Sequence, residues 1–126
     1  MAFELVDMIA AENGWPRLTE DTLEPFLAGP GVRLLFVTGD PAKNLETNDV
    51  AVILAELVKV FGHRFAPAVV DQNIERAVRE RYDVWPTPSL IFVADGVALG
   101  AIPKVRDWDD YLDRIRTILG LHAKAA

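Results

Sequence analysis

Three short apolar runs, each bounded by turn residues, constrain the fold of this chain more than any other feature. Residues 32–37, 65–70 and 89–93 are nearly uninterrupted apolar stretches, the pattern of strands buried on both faces. A helical segment follows each of the first two, whereas a turn at residues 94–96 and a further strand over residues 97–102 follow the third. From residue 32 the order is therefore β-α-β-α-β-β-α. This order predicts an α/β chain whose mixed central β-sheet carries helices on both faces.

Helical spacing of apolar residues accounts for most of the remaining chain. One helix is expected after a polar loop at residues 38–48, another after the turn at residues 71–73, and a last one from Asp107 to Gly120. In the second of these, Ile74, Ala77 and Val78 form the predicted inner face. Two shorter helices precede the first strand, and no linker divides residues 1–126, so one domain is expected.

The balance of charge limits the classes of partner. The chain has 19 acidic and 13 basic residues, for a net charge of −6, which disfavours binding to nucleic acid because phosphate contacts need clustered Lys and Arg. No apolar run approaches the roughly 20 residues of a membrane helix, so membrane insertion is not expected. Acidic residues at positions 4, 7 and 12 do not fit a secretory signal, and we expect a cytoplasmic protein.

The chain contains no cysteine, which excludes disulfides and thiol catalysis by this chain alone. His63 and His122 stand far apart, without partners at the spacing of metal ligands, so no metal site and no cofactor are expected. The sequence at residues 29–31, GPG, precedes a strand rather than opening a helix. It predicts a turn and not a phosphate-binding loop.

The segments DQN at residues 71–73, YDV at 82–84, TPSLIF at 87–92 and DG at 95–96 resemble the second half of a thioredoxin in residue type and spacing. The resemblance implies a thioredoxin-like fold with a cis peptide bond between Thr87 and Pro88. It also implies a groove beside Pro88 where an extended peptide pairs with exposed backbone. From the residues alone, the alternative is an ordinary trans proline that opens a strand.

The first half of the chain departs from that family where its chemistry lies. Residues 38–46 read TGDPAKNLE, in the place where a thioredoxin carries its Cys-x-x-Cys motif. The strand positions that could supply the family's buried acid, Leu35, Phe36 and Val37, are apolar. Both the nucleophile and the proton acceptor are therefore missing, and we expect peptide binding to persist without redox chemistry.

A second resemblance covers nearly the whole chain. It rests on GWP at residues 14–16, TGDP at 38–41, the acidic stretch at 46–49 ahead of an apolar helix, and the Pro88 segment. These features resemble the HyaE/HupG family of hydrogenase expression proteins. Membership would imply a chaperone for [NiFe] hydrogenase maturation that binds the precursor of the small subunit, through its twin-arginine signal peptide.

The candidate partner-binding residues follow from these resemblances. Thr87 and Pro88 would offer backbone to the peptide, and the acids Asp40, Glu46 and Asp49 would face its basic residues, although acids at a helix start also favour the helix dipole. Trp85 either covers apolar side chains of the ligand or closes the core. Asp83 either adds charge to this rim or lies in a solvated turn.

Two other functions remain open at the level of sequence. One is a glutathione-using enzyme of the thioredoxin fold, for which Thr38 is the candidate activating residue at the end of the first strand. The other is a structural thioredoxin-like module with a different partner. The sequence indicates no particular oligomeric state.

Overall fold

A computed structural model of the chain describes residues 3–125, with side chains for residues 3–120. Five strands form one sheet, and five α-helices and a short 3-10 helix at Gly62–Arg64 surround it. The strands are β1 (Arg17–Leu18), β2 (Val32–Val37), β3 (Phe65–Val70), β4 (Ser89–Ala94) and β5 (Val97–Pro103). The helices are α1 (Glu4–Asn13), α2 (Glu20–Leu27), α3 (Glu46–Phe61), α4 (Gln72–Tyr82) and α5 (Trp108–Ala125).

The sheet is mixed, as the order of elements predicts. Its strand order is β1-β3-β2-β4-β5. Strands β1, β3 and β2 are parallel, β4 is antiparallel to β2, and β5 is antiparallel to β4. The central strand β2 ends where β4 begins, because Val37 is paired with Ser89. This pairing places the loop that follows β2 beside the turn that precedes β4.

Helices cover both faces of the sheet. On one face α1, α3 and α5 pack on a core that includes Leu34, Phe36 and Phe92. On the other face α2 and α4 pack on the alternate side chains, among them Leu35, Val37 and Ile91. The alternation follows from the two-residue period of a strand, and it explains why the strands are apolar along their whole length.

Capping residues set two helix starts where the sequence predicts them. The carboxylate of Asp71 accepts a hydrogen bond from the Asn73 backbone N–H at 3.0 Å and so caps α4. At the start of α2, the hydroxyl of Thr22 accepts a hydrogen bond from the Thr19 N–H at 2.8 Å.

Three predictions about the helices are wrong. Helix α3 begins at Glu46, so Glu46 and Asp49 lie in its first turn rather than in a loop ahead of it, where the helix dipole favours acids. Helix α5 runs through Gly120 to Ala125, because one glycine in a helix costs only about 1 kcal/mol and no proline follows. On α4, Ala77 was predicted to face the core but is exposed, and Glu75 is buried instead.

Within residues 3–125, no helix combines the length and the apolar character that crossing a membrane requires.

Candidate partner-binding site

The loop after β2 packs directly on the residue before Pro88. The Thr87–Pro88 peptide bond is cis, as predicted. Gly39 has a φ of +69°, and a Cβ atom on it would lie 2.6 Å from the Thr87 hydroxyl oxygen. The side-chain amide of Asn44 donates to the same oxygen at 3.1 Å. Only glycine allows this approach. Any other residue at position 39 would be strained by the positive φ, and its Cβ atom would collide with Thr87.

Two buried threonines fix that loop. The Thr47 hydroxyl donates to the Thr38 carbonyl at 2.6 Å, and the Thr38 hydroxyl donates to the Gly39 carbonyl at 2.8 Å. Both residues are almost fully buried. Thr38 is the candidate activating residue of the enzyme hypothesis, and its hydroxyl is therefore engaged in a hydrogen bond within the loop.

The backbone of Thr87 is open to a partner. Among residues 3–125, no hydrogen bond uses the Thr87 N–H or carbonyl, although Thr87 is only partly exposed. Its neighbours are engaged, since the Pro88 carbonyl accepts from the Lys104 N–H at 2.7 Å and the Pro86 carbonyl from the Ser89 hydroxyl. One free donor and one free acceptor on the same residue are what an added strand pairs with. The surface formed by residues 39–46, 85–88 and 104–105 is named here the Pro88 surface.

Sequence reasoning missed a buried acid at this surface. Glu75 of α4 is 8% exposed, accepts a hydrogen bond from the Gln72 side-chain amide at 2.6 Å, and forms no ion pair with any described residue. Burial raises the pKa of Glu75, against the opposing effects of Arg79, of Gln72 and of the Gly39 N–H. The negative charge of Asp40 adds to the rise in this pKa, and Asp40 directly follows Gly39, whose N–H acts on Glu75. Asp40 and Glu75 are the carboxylate pair of this site.

The spacing of residues along α4 could have identified Glu75 as buried. Position 75 is adjacent to Ile74 and three residues before Val78, so it borders the inner face of α4. Because charged residues are usually exposed to solvent, the sequence-based prediction places the small apolar Ala77 on the inner face and leaves Glu75 out. The chain thus retains a buried acid under this surface, supplied by a helix rather than by the strand.

The three acids predicted for the site have separate environments. Asp40 is partly buried, and its Oδ1 accepts from the Ala42 N–H at 2.9 Å. Glu46 already has partners within the chain: its carboxylate accepts a hydrogen bond from the Val105 N–H at 3.0 Å and lies 3.9 Å from the Lys104 ammonium. Asp49 is exposed in the first turn of α3, and none of its contacts joins it to the carboxylate pair.

Trp85 is a surface residue, so the interpretation that it closes the core is wrong. Its side chain is 43% exposed, and its indole N–H donates to Asp83 at 3.0 Å. The Arg79 guanidinium stacks on the ring at 5.4 Å and donates to the Trp85 carbonyl. Asp83 is exposed at the C-terminal cap of α4, where it orients the indole.

Other exposed apolar side chains lie around Pro88. Leu45 precedes Glu46, to which Val105 is hydrogen-bonded, and Lys104 is hydrogen-bonded to Pro88. Leu45 is 84% exposed and Val105 is 37% exposed. With Trp85 they form an apolar rim next to the carboxylate pair, an arrangement that can accept a peptide with both basic and apolar residues.

Among the residues whose side chains are described, no group of three or more His, Asp or Glu residues could hold a metal ion. His63 lies at the far end of the sheet from Pro88, in the 3-10 helix before β3. The His122 side chain lies outside the described residues. The turn at residues 29–31 joins α2 to β2, as predicted.

Comparison with known proteins identifies relatives along most of the chain. Residues 5–111 match the family model described as Hydrogenase-1 expression protein HyaE. The hydrogenase expression/formation protein HupG of Rhodobacter capsulatus is 49% identical over 116 residues, which cover 91% of this chain and 84% of that protein. HoxO of Cupriavidus necator, also a hydrogenase expression/formation protein, is 38% identical over 119 residues, with coverage of 93% and 74%.

Solved structures agree with the fold. The crystal structure of the HupG hydrogenase expression/formation protein from Rhodopseudomonas palustris is similar with a TM-score of 0.60 at 34% identity, covering 86% of this chain and 97% of that one. Mitochondrial thioredoxin 3 of Saccharomyces cerevisiae gives a TM-score of 0.67 at 11% identity, covering 83% and 96%. The predicted thioredoxin-like fold is confirmed.

Proposed function

This chain belongs to the HyaE family of hydrogenase expression proteins, and from that premise we propose that it is a non-catalytic chaperone of [NiFe] hydrogenase maturation. In this proposal its ligand is the precursor of the hydrogenase small subunit, which it binds in the cytoplasm through the twin-arginine signal peptide. It contributes binding and no bond chemistry.

The observation that carries the proposal is the carboxylate pair beside the free backbone of Thr87. Glu75 has no cationic partner at ion-pair distance in the described chain, and Asp40 has none either. Arg79 acts on Glu75 only from beyond ion-pair distance, and a buried carboxylate with no cation in contact carries a desolvation cost, which an incoming guanidinium offsets through charge-assisted hydrogen bonds. Arginine suits a carboxylate site because its planar guanidinium matches a carboxylate with two parallel hydrogen bonds.

The apolar rim supports the same ligand. A signal peptide places an apolar segment directly after a basic one. If the basic segment binds the carboxylate pair and the backbone pairs with Thr87, the following residues lie along the exposed side chains of Leu45, Trp85 and Val105. The combination of basic and apolar residues in the ligand therefore agrees with the carboxylates and exposed apolar side chains at the Pro88 surface.

The glutathione-using enzyme has less support. The chain has no cysteine, and the hydroxyl of its candidate residue Thr38 is buried and donates to the Gly39 carbonyl. A nucleophile needs an adjacent base and access to substrate, and neither accompanies Thr38. Asp40, the nearest acid in sequence, accepts a hydrogen bond from a backbone N–H instead.

The test is a titration of this protein with three ligands: the small-subunit precursor, the mature subunit without its signal peptide, and the signal peptide alone. We expect the precursor and the isolated signal peptide to bind and the mature subunit to bind at least about tenfold more weakly. Tight binding of the mature subunit with none of the signal peptide would contradict the proposal.

A further inference from the structure

A second cleft lies at the end of the sheet away from Pro88. It encloses about 590 Å³ between the turn at residues 13–16, helix α2 and the start of β3. Arg33 lines it from β2, four residues before Val37, which separates it from the Pro88 surface by about 13 Å along the strand. A volume of this size is within the usual range for ligand sites.

Arg33 is held in place without a counter-charge. Its guanidinium stacks on the Phe26 ring at 4.9 Å. It also lies against Gly29, where a Cβ atom would overlap the guanidinium nitrogens. Its Nε is buried and has no hydrogen-bond partner, and no ion pair within residues 3–120 includes Arg33. A partly buried guanidinium with an unused donor is costly unless an acceptor completes it.

The absence of a partner is unusual for this chain. Acids outnumber bases by 19 to 13, and most described arginines bind a carboxylate or a carbonyl. Arg116 lies 3.7 Å from the Asp113 carboxylate, which leaves Arg33 and Arg64 as the two described arginines with neither a hydrogen bond nor an ion pair. Arg64 is exposed to water, whereas Arg33 lies within the cleft.

The walls of the cleft restrict the anion. Trp15, Phe26 and Phe65 line it, together with two prolines and Val58, and the polar side chains are those of Arg33, Asn13 and His63. One permanent cation among apolar walls suits a ligand that presents one carboxylate next to apolar groups. Polyphosphates and nucleic acids need several cations, and the net charge of −6 repels them.

We propose that this cleft binds a polypeptide segment of a partner that presents one carboxylate next to apolar side chains, with Arg33 as the residue that binds the carboxylate. The aromatic walls take the neighbouring apolar side chains, and the guanidinium donates to both carboxylate oxygens. The site is separate from the Pro88 surface, so the proposal does not depend on signal-peptide binding.

The probe is an acetylated and amidated tripeptide, Phe-Glu-Phe, with Phe-Gln-Phe as its uncharged match. Two-dimensional NMR follows the side-chain N–H of Arg33 and the indole N–H of Trp15 during titration. We expect saturable shifts of both signals with the Glu peptide, and about tenfold or more weaker binding of the Gln peptide, the loss typical of a charge-assisted hydrogen bond. Equal affinity for the two peptides, or no shift up to millimolar concentration, would overturn the proposal.

Variants of the protein locate the effect. Arg33→Met keeps the stem and removes the charge, and Gly29→Ala keeps the charge and displaces the guanidinium; both should weaken the Glu peptide about tenfold. Arg64→Met removes an exposed arginine nearby and should leave the affinity unchanged. If Arg33→Met fails to fold, the comparison of the two peptides on the unaltered protein still decides. Equal losses from Arg33→Met and Arg64→Met would assign the binding to net charge and refute the cleft.

Discussion

The side-chain amide of Asn44 donates a hydrogen bond to the hydroxyl of Thr87 at 3.1 Å, across 43 positions of sequence. It joins the loop that occupies the place of a Cys-x-x-Cys motif to the residue before Pro88. Thr47 and Gln72 fix the same loop from below by donating to the Thr38 and Gly39 carbonyls. The loop is thus a fixed wall of the Pro88 surface, and it leaves the backbone of Thr87 free for a ligand.

Gly39→Ala tests this close approach. Gly31 is the matched control because its φ of +75° is similar to the +69° of Gly39, yet nothing lies within 4 Å of a Cβ built there. We expect Gly31→Ala to cost about 1–2 kcal/mol of unfolding free energy from backbone strain alone. Gly39→Ala should cost about 1–3 kcal/mol more, because its Cβ collides with Thr87. Urea unfolding measures both, and equal losses would contradict the contact.

Glu75→Gln should stabilise the protein at neutral pH. Burial raises the pKa of Glu75 above its ordinary value of 4.5, so the folded state binds the proton more tightly than the unfolded state and loses stability as the pH rises through that interval. Replacement by glutamine removes this loss. The gain should be absent below pH 4.5 and reach its full size above the raised pKa.

Thermal unfolding between pH 3.5 and 8 measures this gain. Glu80→Gln is the control on the same helix, because Glu80 is exposed and paired with Arg76. Its effect should be within about 0.5 kcal/mol at all pH values. A constant difference between Glu75→Gln and the unaltered protein across the whole range would contradict the proposed role of burial.

The sequence predicts the topology of the sheet and the position of Pro88 well, because both depend on local patterns of apolar and turn residues. The carboxylate pair depends on the rotation of α4. A modest rotation of the helix about its axis buries Glu75 in place of Ala77, and periodicity over three turns does not resolve such a rotation.

The role of Glu46 is equally hidden, because its partner Val105 is 59 positions away. Trp85 is large and apolar, and its residue type alone does not distinguish burial from exposure; the side chain lies at the surface, where its indole N–H donates to Asp83. Local patterns therefore give the elements of this fold, whereas the contacts between distant elements decide which acids are free.

Trp85→Ala should hasten dissociation of the signal peptide and change stability little. The side chain is 43% exposed, so its removal leaves no buried cavity. Loss of an aromatic contact in an interface typically costs about 1–2 kcal/mol, which raises the dissociation rate by about tenfold while the association rate stays similar. Surface plasmon resonance separates the two rates.

Met8→Ala serves as the control for Trp85→Ala, since Met8 is 50% exposed and lies on α1, away from Pro88. The signal peptide should dissociate from the Met8→Ala variant at the same rate as from the unaltered protein. The apolar rim would lose its proposed role if both substitutions changed the rate equally.

The protein should not reduce insulin disulfides and should not turn over glutathione conjugates. The chain has no thiol to form a mixed disulfide, and Thr38 is buried in its own hydrogen bonds. Spectrophotometric assays with dithiothreitol or glutathione should give the uncatalysed rate. A rate that rises in proportion to protein concentration would revive the enzyme hypothesis.

The central claim, that carboxylates at the Pro88 surface bind the arginines of a signal peptide, is tested most directly by calorimetric titration of that peptide against two double variants. Asp40→Asn with Glu75→Gln removes the carboxylate pair, and Glu12→Gln with Asp109→Asn removes the same charge from exposed positions elsewhere. We expect at least about a tenfold loss of affinity for the first, and less than about threefold for the second, because screening at physiological salt acts beyond about 8 Å. Replacing the two arginines of the peptide with lysines should weaken binding to the unaltered protein but not to the first variant. Equal losses from the two double variants would contradict the account.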